Sequence, residues 1–268
     1  MERIILIETS TALCSAALAE NGVITSYRES SAPKAHASLT AVFIEEMLSE
    51  RGLALADCDA VCVSMGPGSY TGLRVGVSTA KGLCFGSGKP LLAVGTLDTL
   101  VAQSSSVIPS EVEGSPYRFI IPMIDARRME VYTAVFAPNV IPSDPCTIIP
   151  SNPCTVIPSD PCTVIPSEVE ESPTYRQITE TSPMIIDESS FAEYLEQGPC
   201  LFIGDGAGKC ADVIRHPNAR FHQCYPNAAA MLKPALVAFR AGDFKDVAYF
   251  EPFYLKEFVA TVSKKKLF

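Results

Sequence analysis

The chain has 268 residues, of which 47% are hydrophobic and 19% charged, enough for one large domain or two modest ones around a sizeable core. Twenty-one Lys and Arg face 30 Asp and Glu, for a formal charge of −9. That balance argues against a protein that grips RNA with a basic face of its own. No run approaches the roughly twenty apolar residues in a row that a membrane helix needs, so a soluble, cytoplasmic protein without a membrane partner is expected.

Residues 3–8 (RIILIE) and 13–19 (LCSAALA) read as neighbouring strands joined by a Thr/Ser turn. No basic stretch precedes a long apolar one, so the opening reads as a first strand and not as a secretory signal. Asn21-Gly22 marks a hairpin leading to a third strand over 23–27. A helix is predicted over 36–51, with Leu39, Phe43, Met47 and Leu48 on one stripe and Gly52 closing it. Residues 60–64 (AVCVS) form a continuous apolar run, typical of a strand covered on both faces. A glycine-rich turn, a helix over 71–84, a strand over 91–94 and another helix start follow.

The pattern then restarts, with strands over 119–125 and 130–136, a helix near 189–197, a strand turning through Gly204, Asp205, Gly206 and Gly208, and a helix over 228–241. Hairpins followed by strand–helix alternation, occurring twice, predict two α/β lobes related by duplication. The expected division is 1–104 for the first lobe, 105–226 for the second, and 227–268 for a C-terminal helix and tail packing back on the first. The boundary falls in the Ser-rich stretch 104–116.

One region breaks the pattern. Residues 140–147, 148–155 and 156–163 read VIPSDPCT, IIPSNPCT and VIPSDPCT. Two prolines per octad resist helix and central strand alike, so about 138–173 reads as an extended or disordered insertion, dispensable for function. Of the ten cysteines, Cys146, Cys154 and Cys162 belong to this repeat, whereas Cys14, Cys62 and Cys84 sit in apolar, core-like segments. That distribution fits a reducing compartment and not a disulfide scaffold.

The most informative segment is VSMGPGSYTGLRVGVSTAKGL, 63–83. Gly66 and Gly68 permit dihedrals that side chains forbid, Pro67 stiffens the turn, and Ser69 and Thr71 can cap the following helix. Gly72, Gly76 and Ala80 recur every four residues, a smooth ridge along which another helix can come close. The plain reading is a tight strand–helix corner with a packing ridge. A glycine turn before a helix N-terminus also suits phosphate.

With IETSTALCSAAL at 7–18, PMIDARRMEVYTAVF at 122–136 and FIGDGAGKC at 202–210, GPGSYTGLRVGVSTAKGL resembles the signature of the TsaB (YeaZ) family. The resemblance covers the chain except for the Pro/Cys repeat. It implies a two-lobed α/β fold of the RNase-H/actin-like ATPase (ASKHA) type, each lobe a mixed sheet with flanking helices. It implies a non-catalytic subunit that pairs with its paralogue TsaD, helped by the ATPase TsaE. The assembly would place threonylcarbamoyl on the tRNA adenosine 3′ of the anticodon, with tRNA met through the complex. The pairing helices would be 36–51 and 71–85, through His36, Leu39, Phe43, Met47, Thr71, Gly72, Arg74, Val75, Gly76, Thr79, Ala80 and Leu83. That reading hangs on the Gly72/Gly76/Ala80 ridge being open to a visitor. A homodimer of the free chain is left open.

Catalytic members carry HxxxH on the first-lobe helix, where both imidazoles can bind a metal. Here His36 is followed four residues later by Thr40, and no metal is expected in this chain. Nucleotide contact stays open as weak ATP or ADP binding through Glu8, Gly66, Gly68, Ser69, Gly204, Asp205 and Gly206. GDGAGKC lacks P-loop spacing; Asp125, Arg127 and Arg128 look like a catalytic cluster, yet Asp–Arg pairs more often organise a lobe interface. The alternatives are a stand-alone actin-like ATPase or phosphotransferase and, behind it, a metallopeptidase.

Overall fold

The structure, a computed structural model, describes residues 2–105, 117–138 and 175–255. The octad repeat beyond Pro138, residues 106–116 and the terminal lysines lie outside the described residues.

Five strands, β1 (Arg3–Glu8), β2 (Cys14–Glu20), β3 (Val23–Ser30), β4 (Ala60–Gly66) and β5 (Leu91–Gly95), form a sheet in the order β3-β2-β1-β4-β5. β1 is buried from Ile4 onward, as an unbroken run of branched apolar residues demands of a central strand. It pairs antiparallel with β2 and parallel with β4. The β2–β3 turn places Asn21 and Gly22 at φ 52° and 79°, the two-residue turn whose twist suits paired strands.

Helices α1 (Ala35–Glu50) and α2 (Tyr70–Ser87) cover one face of this sheet. Phe43, Met47, Val77, Ala80 and Cys84 join Ile5, Ile7, Leu18 and Val63 in one core. Helix α3 (Thr96–Ser104) leads to the second sheet.

That sheet contains β6 (Phe119–Asp125), β7 (Glu130–Thr133), β8 (Phe136–Pro138), β9 (Tyr175–Gln177), β10 (Ser182–Ile185), β11 (Cys200–Gly204) and β12 (Ala219–Gln223). Its main path, β10-β7-β6-β11-β12, repeats the first. The central strand again has antiparallel neighbours on one side and parallel ones on the other. One face is covered by α4 (Ala192–Leu195) and α5 (Ala207–Cys210), the other by Leu97 and Leu100 of α3. Finally α6 (Leu232–Ala241), with the helical turn Ala228–Met231 before it, packs on the free face of the first sheet against Ile4, Leu6 and Leu92.

Two expectations shift. The strand predicted over 130–136 breaks after Thr133, and Phe136 pairs instead with Ile120 and Gln177. The helix predicted over 189–197 shrinks to one turn, because Gly198 and Pro199 stop it and Phe191 enters it at φ 63°. Strands β9 and β10 carried no apolar alternation, and β12 offered only Ala219 and Phe221. They complete an existing sheet, which supplies the partners for their backbone.

After α6 the chain returns along the first lobe as a strap. Lys245 N donates to Leu91 O at 2.8 Å, and Val247 and Phe250 pack on the core beneath α2. Lys81 Nζ donates to the carbonyls of Ala248 and Phe250, each at 3.0 Å. Phe253 N donates to Met65 O at 2.7 Å, and the Tyr254 ring lies tilted against Tyr70 with centroids 4.8 Å apart.

Candidate functional site

The glycine-rich corner grips the β1–β2 turn. Ser69 N donates to Ser10 O at 2.6 Å, Thr9 Oγ1 donates to Gly72 O at 2.9 Å, and Ser69 Oγ caps α2 by accepting from Gly72 N at 3.3 Å. Gly66 sits at φ 107°, and a Cβ there would lie 2.7 Å from Phe253 O, so the strap needs a glycine at this point.

This geometry overturns the ridge reading. Gly72, Gly76 and Ala80 are buried, and a Cβ on Gly72 or Gly76 would strike Thr9 O or Thr9 Oγ1. The small residues admit the chain's own β1–β2 turn and not a visiting helix. Phe43 (8% exposed) and Met47 (1%) are likewise core residues, and Leu39 and Leu83 pack against that core half-buried. Their apolar spacing was legible; which side of the helix faced the sheet was not. Of the residues expected to pair, Thr71 and Arg74 are exposed and Val75 and Thr79 half-exposed. Phe85, 87% exposed, and Ser78 lie on that outward side but broke no sequence pattern and went unread.

His36 and Thr40 are both committed locally. His36 Nε2 donates to Thr11 O at 2.9 Å. Thr40, 1% exposed, donates to His36 O at 2.6 Å and lies 3.4 Å from Cys14 Sγ. Among the described residues no three His, Cys, Asp or Glu side chains converge as metal ligands.

Between the lobes lies a cleft of about 870 Å³. One wall is Ser10, Thr11, His36 and the start of α2; the other is Asp125 to Arg128 with Asp205; Phe253 to Leu255 of the strap close its mouth. Of the nucleotide candidates, only Gly68, Ser69 and Asp205 line it. Glu8 is fully buried beneath, its Oε1 accepting from Ser10 N at 2.6 Å, and burial pushes its carboxyl above the usual range. A Cβ on Gly204 or Gly206 would meet Met123 O or Val131, so those glycines staple β11 to β6 and do not face the cleft.

Asp125 does not pair with the arginines beside it. Its Oδ1 accepts from Arg127 N at 2.7 Å and from Lys209 Nζ, which also donates to Arg128 O at 2.8 Å and Glu130 O at 2.7 Å. Asp205 Oδ1 accepts from Asp125 N at 2.9 Å, and burial pushes Asp205 up to about 6.

The family model for TsaD, tRNA N6-adenosine threonylcarbamoyltransferase, matches residues 25–139. The chain is 34% identical over 134 residues to the tRNA threonylcarbamoyladenosine biosynthesis protein TsaB of Escherichia coli, covering 50% of this chain and 54% of that one. It is 35% identical over 141 residues to the TsaB of Haemophilus influenzae, covering 53% and 56%. YeaZ from Pseudomonas aeruginosa superposes over 95% of this chain and 100% of its own, with a TM-score of 0.71 and 22% identity. About half of the chain is thus similar to TsaB proteins, and its fold to that of YeaZ. The aligned region spans about half the length of the curated relatives it matches. The two-lobed actin-like fold expected from the sequence is the fold found. The tRNA N6-adenosine threonylcarbamoyltransferase of Jannaschia is 46% identical over 66 residues, 25% of this chain and 18% of that one. No helix among the described residues is long and apolar enough to cross a membrane.

Proposed function

We propose that this chain is a non-catalytic pairing subunit in the formation of threonylcarbamoyladenosine on tRNA. It docks on a TsaD-type paralogue through the outer faces of α1 and α2, with a TsaE-type ATPase joining the assembly. The observation that carries this reading is Thr40. It stands where the resemblance implies the second histidine of HxxxH, and its hydroxyl is spent on the His36 carbonyl and not turned outward toward a metal. The relatives' printed names support the pathway.

The docking surface belongs on the side of α2 opposite the glycine ridge. There Thr71, Ser78 and Gly82 leave a low relief beside the exposed Phe85, and Ala37, Ala41 and Val42 of the neighbouring α1 extend it. Small residues allow close helix approach, and a solvated phenyl ring is a ready anchor. The stand-alone ATPase reading is weakened at Glu8, whose carboxyl is sealed away from the cleft.

The test is co-purification with a TsaD-type protein from the same cell. The chain is expected to retain it, and Phe85→Asp to weaken the association at least about tenfold with an unchanged melting temperature. A TsaD-type protein left in the flow-through by the unaltered chain would end this reading.

A further inference from the structure

Arg127 and Arg128 occupy the tip of the β6–β7 hairpin at φ 70° and 52°. Two successive left-handed residues with side chains are strained, by about 1 kcal/mol each. The matching hairpin of the first lobe, β1–β2, turns through residues 9–13 without a single positive φ. Nothing in the backbone asks for arginine at 127 and 128. The Asp125 and Lys209 bonds hold the turn in place from below.

Both side chains are exposed, line the interlobe cleft and take part in none of the ion pairs among the described residues, in a chain of charge −9. The cleft carboxylates are otherwise engaged: Asp125 with Lys209, Asp205 with the Asp125 amide, while Glu130 has contacts of its own. Across the cleft, the Tyr70 and Tyr254 rings lie 4.8 Å apart, tilted at 37°, and the Arg74 guanidinium sits 5.5 Å over the Tyr70 ring. Guanidinium groups on one rim and a pair of tyrosine rings with a third guanidinium on the other match a single strand with phosphates and unstacked bases.

We propose that the Arg127–Arg128 turn is a phosphodiester clamp through which this subunit touches RNA directly, with Tyr70 and Tyr254 as a base-stacking platform. The inference rests on the function proposed above, naming where the tRNA meets this chain. It adds a direct contact to the expectation that tRNA is met through the complex. The overall acidity remains, and the clamp adds local contacts to a surface supplied mainly by the paralogue.

The experiment takes the complex of this chain with a TsaD-type protein and titrates an unmodified anticodon stem-loop RNA across a salt series. Arg127→Ala/Arg128→Ala is expected to weaken binding by about tenfold and to lower the slope of log affinity against log salt by roughly two, one per phosphate lost. Arg127→Lys/Arg128→Lys, which keeps the charge, should recover most of both. Unchanged affinity and slope in the Ala variant, with the complex intact by gel filtration, overturns the clamp. So does displacement of the RNA by magnesium ATP, which assigns the cleft to a nucleotide. Failure of the unaltered chain to associate ends the pairing reading instead; the same salt series on the chain alone then decides the clamp, and indifference to both arginines overturns it.

Discussion

Gly76 shows how one residue can be read correctly in type and wrongly in purpose. Its recurrence with Gly72 and Ala80 marks a surface where something must come close, and something does: Thr9 of the chain's own β1–β2 turn. Gly76→Leu therefore acts on the fold before it acts on any partner. It should destabilise the protein by about 3 kcal/mol or more through overpacking against a rigid turn. Thermal unfolding of the variant reads this, and an unchanged melting temperature would return the ridge to the surface. Glu8 follows the same logic. Its position after the first strand suggested a ligand contact, but the residue caps the turn from inside, accepting from Ser10 N.

At the scale of elements, periodicity located α1, α2, β1 and β4 because each buries a long apolar face against a sheet. It failed for α4 and for β9, β10 and β12, which are short and rely on neighbours already in place. The strap over 243–255 was equally silent, since its anchors are backbone carbonyls: Lys81 holds Ala248 O and Phe250 O, and Met65 O holds Phe253 N. Truncation after Gly242 should cost about 3 kcal/mol, as Val247 and Phe250 leave the first core. Denaturant unfolding measures this; a midpoint within error of the full chain would mean the strap merely rests on α2. The same truncation opens the mouth of the cleft, of which Phe253, Tyr254 and Leu255 are part.

Across the whole molecule, the octad repeat is bracketed by β8 and β9, whose ends pair directly, Pro138 with Tyr175. The sheet therefore closes whatever the length of chain between them, and loop length weighs only logarithmically on stability. Deleting residues 140–163 is expected to leave melting temperature and association with a TsaD-type protein unchanged. Loss of association on that deletion would give the repeat a role in assembly.

The duplication into two α/β lobes was legible in the sequence because each repeats hairpin, apolar strand, turn and helix, and those signals are local. The position of Thr40 after His36, and the motif around Gly66 to Ala80, were likewise written in the chain. Tertiary structure alone decided which face of α2 is outward, that Glu8 is sealed while Asp205 borders the cleft, and that Arg127 and Arg128 stand opposite Tyr70 and Tyr254. Local spacing fixes which residues share a helix or strand; only the packing of distant segments determines what each face meets.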